Sequence, residues 1–209
     1  MVRNFNMLGK LYAITERSLI QTSLADDIEQ AILGGAGLIQ LREKNITEEQ
    51  YIEYAKDALA ICKKYSVPLI INDNINVCLK SGADGVHLGQ GDAPPFEARK
   101  LLGADAIIGV TAKTIEQAQK AYFDGADYIG SGAVFGTATK NDAKKMDIKT
   151  LKSITAASKI PVYAIGGITA DNILLLEGTG IYGAAVVSGI FKGDIQTNSQ
   201  NLSEAVTRL

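Results

Sequence analysis

The chain has 209 residues, of which 46% are hydrophobic and 21% charged, with a formal net charge of −2. That is enough for one sizeable core and lies near the lower limit of roughly 200 residues for a complete (β/α)8 barrel. It excludes a membrane-spanning protein, since no apolar run approaches roughly 18 residues, and a nonspecific nucleic-acid binder, which needs a basic surface to displace counterions.

The opening residues, MVRNFNMLGK, carry two positive charges but no apolar stretch or small-residue cleavage site, so a cytoplasmic protein is expected. From there one organisation repeats: a short β-branched run, a turn, an amphipathic stretch of about ten or more residues, then another run. The runs start at Leu11 (LYAIT), Leu38 (LIQLR), Pro68 (PLIIN), Gly85 (GVHLG), Ala106 (AIIGVT), Tyr128 (YIGSGA), Pro161 (PVYAIGG) and Gly183 (GAAVVSG). Gly35-Ala-Gly, Gly82-Ala-Asp, Gly125-Ala-Asp and Gly178-Thr-Gly each precede an even-numbered run, as helix C-caps would. Pro68 and Pro161 open the third and seventh runs, where a missing ladder donor costs nothing. Cys62 and Cys78 form no CxxC pair and read as buried thiols. Runs apolar on both faces suit parallel strands between a barrel interior and outer helices. Nothing marks a domain boundary, so residues 1–209 are expected to form a single α/β domain, a (β/α)8 TIM barrel, with an open doubly wound sheet as the alternative.

In such a barrel the active face lies at the C-terminal ends of the strands. The second run ends in Gln40-Leu-Arg-Glu-Lys44, and period-2 alternation points Gln40, Arg42 and Lys44 to one side, an anion site in the making. The third ends in Asn72-Asp73 and the fourth is followed by Gln90-Gly-Asp92. Two carboxylates at one rim suffice for Mg²⁺, which takes its remaining ligands from phosphate and water. After the sixth run comes Phe135-Gly-Thr-Ala-Thr-Lys-Asn-Asp142, long enough in so small a barrel to act as a lid or clamp. Gly166-Gly-Ile-Thr169 and Val187-Ser-Gly-Ile190 follow the seventh and eighth runs, where barrels often bind phosphate. Two anion sites at one rim imply two phosphorylated substrates. The only histidine, His87, lies between Val86 and Leu88 inside a strand, which reads as a satisfied barrel residue and excludes a Ser/His/Asp triad.

Gln40-Leu-Arg-Glu-Lys44, Ile71-Asn-Asp73, Gly85-Val-His-Leu-Gly-Gln90 with Asp92, Thr137-Ala-Thr-Lys140 and Ala164-Ile-Gly-Gly-Ile168, taken in this order, resemble the motifs of thiamine-phosphate synthases. The resemblance covers nearly the whole chain. It implies that Gln40, Arg42, Lys44, Asn72, Thr111 and Lys140 bind a pyrimidine pyrophosphate. It further implies that Asp73 and Asp92 hold Mg²⁺, and that Thr137, Thr139, Gly167, Val187 and Ser188 bind a thiazole phosphate. The implied reaction is substitution at the pyrimidine methylene carbon, with Arg42, Lys44 and Lys140 stabilising the departing pyrophosphate. A homo-oligomer is compatible with it. Three places depart from the family's usual wording: Lys113 stands where a histidine is common, Asn74 where an arginine is common, and Ala133 and Gly136 where prolines are. Two rival activities are a thiazole tautomerase on the same fold and a lyase forming a Schiff base through Lys44 or Lys140.

Overall fold

The computed structural model describes residues 8–136 and 145–209. Eight strands fall inside the eight apolar runs: β1 (Leu11–Ile14), β2 (Leu38–Leu41), β3 (Leu69–Asn72), β4 (Gly85–Leu88), β5 (Ile107–Thr111), β6 (Tyr128–Gly132), β7 (Val162–Ile165) and β8 (Gly183–Val186). Each pairs in parallel with its sequence neighbours, and β1 closes on β8, so the sheet is a barrel and not the open alternative. Tyr12 of β1 sets the closing register, opposite Leu38 on one side and Ala185 on the other.

The helices are α1 (Leu24–Leu33), α2 (Glu48–Lys64), α3 (Ile75–Ser81), α4 (Pro95–Leu102), α5 (Ile115–Phe123), α6 (Ile148–Ala157), α7 (Ser188–Phe191) and α8 (Ile195–Val206). Their starts are written in the sequence. Ser23, Thr47, Asn74, Thr114, Asp147 and Asp194 each accept a hydrogen bond from the backbone N–H three residues on. Between β7 and β8 the expected long amphipathic stretch is absent, and only a 3-10 turn, Ile173–Leu176, stands there. Asn172 holds the chain back by donating to the Gly167 carbonyl and accepting from the Thr169 N–H, both at 2.9 Å. Gly178 and Gly180 then end the segment in the left-handed region.

Alternating strand residues divide the core in two. Ile39, Leu41, Ile71 and Val86 face the helices, whereas Tyr12, Leu38, Ile70, Tyr128 and Tyr163 fill the barrel. The three tyrosine rings pack edge to face with centroids 5.4 to 5.7 Å apart. Below them the Tyr163 hydroxyl donates to the Gly9 carbonyl at 2.8 Å and Tyr182 to that of Leu8, which closes the N-terminal end. Cys62 and Cys78 are buried free thiols, and burial pushes each up to about 12.

The Gly-Ala-Asp echo has a physical counterpart. Asp84 accepts from the Leu69 N–H and Asp127 from the Ile108 N–H, both at 2.8 Å, so each bridges the start of its strand to the strand before. Among the described residues no helix is long and apolar enough to cross a membrane.

Candidate active site

A cavity of about 150 Å³ opens at the C-terminal ends of the strands. One wall is polar and comes from Gln40 and Arg42 at the end of β2, Asn72 closing β3, and Thr111 closing β5. The opposite wall comes from Gly166 and Gly167 after β7 and from Val187 and Ser188 at the start of α7. Both sets were expected at this rim, and the structure brings them to one cavity. Thr137, Thr139 and Lys140 lie outside the described residues.

The alternation in Gln40-Leu-Arg-Glu-Lys44 holds for two of its three positions. Gln40 and Arg42 face the cavity, while Glu43 is buried away from it and takes a two-point ion pair from Arg17, at 2.7 and 3.1 Å. The strand ends at Leu41, so period 2 no longer governs Lys44. Lys44 stands on the rim, where its ammonium donates to the Asp73 carboxylate at 2.8 Å. Arg42 is held by Glu16, a residue of the loop after β1 that sequence reasoning passed over.

Asp73 has φ 63°, a left-handed conformation that turns the chain sharply after β3. Its N–H donates to the His87 carbonyl at 2.8 Å. Burial works to raise the Asp73 carboxyl, but the hydrogen bond and charge of Lys44 overcome it, and the group titrates below its ordinary value. Asp92 goes the other way. Burial raises it, and so does the neighbouring Asp73 charge, against a hydrogen bond from the Gly89 N–H at 2.7 Å. The two carboxyls thus titrate as an interacting pair. Among the described residues no three His, Cys, Asp or Glu side chains cluster as metal ligands. A pair of hard oxygen donors is the set Mg²⁺ uses when substrate phosphate and water complete its shell, so the residues fit that ion.

The wall opposite Gln40 and Arg42 needs its glycines. Gly166 and Gly167 have φ of 104° and 67°. A Cβ on Gly166 would lie 2.5 Å from the Ala133 Cβ, and one on Gly167 would lie 2.2 Å from the Gly136 carbonyl oxygen, because the start of the loop after β6 runs directly over them. The double glycine is therefore more than a tight turn.

His87 lines the cavity with both ring nitrogens engaged, Nδ1 with the Tyr128 hydroxyl at 3.1 Å and Nε2 with that of Thr111 at 3.0 Å. Tyr128 meets Tyr12 at 2.8 Å, and Tyr12 meets the Gln40 amide nitrogen at 2.5 Å. Neither tyrosine was foreseen as part of the site, because an aromatic residue inside an apolar run reads simply as core. Lys113, the departure from histidine, also lines the cavity, and Asn74, the departure from arginine, caps α3 by accepting from the Val77 N–H at 2.9 Å.

A sequence profile of the thiamine monophosphate synthase family matches residues 11–190. A thiamine-phosphate synthase of Clostridium tetani is 46% identical over 204 residues, covering 97% of this chain and 98% of that one. One of Ruminiclostridium cellulolyticum is 48% identical over 196 residues, 93% of each. Among solved structures, a thiamine phosphate pyrophosphorylase of Pyrococcus furiosus superposes with a TM-score of 0.89 at 34% identity, covering 98% of both chains.

Proposed function

The chain belongs to the thiamine monophosphate synthase family, and on that premise we propose that its barrel mouth joins a pyrimidine pyrophosphate to a thiazole phosphate, releasing pyrophosphate. The observation that carries this reading is the juxtaposition of Lys44, Asp73 and Asp92 on the rim with the Gln40, Arg42, Asn72 and Thr111 wall beside it.

The chemistry needs no protein nucleophile. The bond from the pyrimidine methylene carbon to the bridging oxygen breaks, its electron pair leaves with pyrophosphate, and the lone pair of the thiazole nitrogen forms the new bond to carbon. Arg42, Lys44 and Lys140 counter the negative charge that grows on the leaving group. Asp73 and Asp92 would hold Mg²⁺, which when bound supplies further charge neutralisation at the pyrophosphate oxygens. Asn72 and Gln40 orient the ring. Ile14, Ile165, Ile168 and Val186 line the cavity and keep water from a carbon that is electron-poor as its leaving group departs. Thr137, Thr139, Gly167, Val187 and Ser188 receive the thiazole phosphate. The resting geometry speaks against a Schiff base at Lys44, whose ammonium is held by a carboxylate instead of facing a dry pocket as an amine. The cytoplasm is where such a biosynthetic reaction would run.

The test is pyrophosphate release from both substrates with Mg²⁺, with EDTA as control. Release that needs both substrates and stops with the chelator is expected. No release under these conditions sinks the reading.

A further inference from the structure

The barrel interior holds a continuous hydrogen-bonded chain that substrate contacts alone do not explain. It runs from Gln40 on β2 through Tyr12 on β1, Tyr128 on β6 and His87 on β4 to Thr111 on β5, with links of 2.5, 2.8, 3.1 and 3.0 Å. Both of its ends line the cavity. We propose that Tyr12, Tyr128 and His87 are positioning residues, a relay that presents Gln40 to the ligand as a hydrogen-bond acceptor and Thr111 as a donor. This deepens the function proposed above and rests on it for the identity of the ligand.

Proton counting gives the polarity. Tyr12 and Tyr128 are buried and neutral, so each has one proton to donate. The Gln40 amide N–H donates to the Tyr12 oxygen, and the Tyr12 proton is left only the Tyr128 oxygen. The Tyr128 proton then goes to Nδ1 of His87, which must be an acceptor. The ring therefore carries its proton on Nε2 and donates it to the Thr111 oxygen. Among the described residues, two groups remain for the ligand: the Gln40 carbonyl oxygen, which accepts, and the Thr111 hydroxyl proton, which donates. An aminopyrimidine bearing a pyrophosphate offers the complement, an exocyclic amine for Gln40 and phosphate oxygens for Thr111.

The backbone is shaped around this chain. A Cβ on Gly109 of β5 would lie 2.1 Å from the Tyr128 ring, and one on Gly130 of β6 would lie 3.1 Å from His87 Cε1. Glycine inside a strand weakens it, and a close approach by another group accounts for its use here.

Because His87 is the only histidine, ¹⁵N labelling of histidine yields a single pair of ring resonances in the intact protein. A neutral ring with its proton on Nε2 is expected. A proton on Nδ1, a mixture of tautomers or a doubly protonated ring at neutral pH overturns the proposal. Tyr128→Phe keeps the ring and deletes only the oxygen between Tyr12 and His87. In that variant, which loses the links to both Tyr12 and His87, the KM for the pyrimidine pyrophosphate should rise about tenfold, while the thiazole KM and kcat stay within about twofold. Thr111→Val should also cost less in the Tyr128→Phe background than in the parent. Equal rises in both KM values, or additive effects, reduce the relay to ordinary core packing and overturn it. If Tyr128→Phe does not fold, Tyr12→Phe puts the same questions one link further on. The tautomer is read without substrate. Proton on Nε2 with no pyrophosphate release therefore supports the relay and sinks the proposed reaction, whereas the reverse pattern sinks the relay alone.

Discussion

Asp73 shows how much a single position can be asked to do. Its φ of 63° is costly for any residue with a Cβ, on the order of 1 kcal/mol, and the strain is retained where it aims a carboxylate at Lys44 and Asp92. Replacing it by glycine relieves the backbone and removes a half-exposed ion pair worth little. Asp73→Gly should therefore melt no lower than the parent, while pyrophosphate release falls by at least about 100-fold, as expected when charge stabilisation at the leaving group is lost. A drop in melting temperature of several degrees would show that the residue is structural. Gly109 makes the opposite case. Its added methyl in Gly109→Ala meets the Tyr128 ring, so the variant should lose roughly 2 kcal/mol or more in denaturant unfolding, an overpacking cost. Ser199 is a third kind of residue. Its hydroxyl is fully buried in α8 with no hydrogen-bond partner among the described residues, so Ser199→Ala should be neutral or stabilise by up to about 1 kcal/mol in the same measurement.

At the scale of elements, the caps and the aspartate bridges carry the testable content. Asp147 and Asp194 cap α6 and α8, and hydrogen bonds from the Thr150 and Thr197 N–H groups hold both carboxyls below their ordinary range. A depressed folded value adds stability above the unfolded one and loses it as pH falls through the folded one. Stability should thus decline below about pH 4. Asp147→Asn, which still caps but does not titrate, should flatten that decline in acid melts. An unchanged acid profile would remove the cap from the account. The bridges at Asp84 and Asp127 are less exposed to solvent competition. Asp127 also takes an ion pair from Arg99 at 2.7 Å, and Arg99 reaches the Ala104 and Gly125 carbonyls as well. Asp127→Ala should cost roughly 2 kcal/mol in urea unfolding, because it leaves the buried Ile108 N–H without its acceptor and takes one partner from Arg99, and Asp84→Ala should cost less, since among the described residues no ion pair is lost with it.

For the molecule as a whole, the sequence shows most plainly what depends on local chemistry. All eight strands are readable as apolar runs, and the rim residues follow once strand ends are treated as the active face, because the barrel topology leaves side chains there nowhere else to go. Lys44 escaped the alternation rule since the strand stops three residues before it. The 3-10 turn before β8 was missed because Leu174-Leu-Leu176 reads as helix core, whereas the tether from Asn172 to Gly167 is visible only in three dimensions. The Gln40-to-Thr111 relay was hidden for the same reason: its members come from five strands, separated by as many as 116 positions in sequence, and each alone looks like filling.

The tyrosine packing has a practical consequence. The chain has no tryptophan and eight tyrosines, and four of these, Tyr12, Tyr128, Tyr163 and Tyr182, lie ring against ring inside the barrel, with Tyr12 forming part of the cavity wall. Half of the chain's phenolic fluorophores are thus stacked beneath the ligand's seat, without a dominant indole to drown them. The protein carries its own optical reporter, and filling the cavity should register in its tyrosine emission without any label being attached.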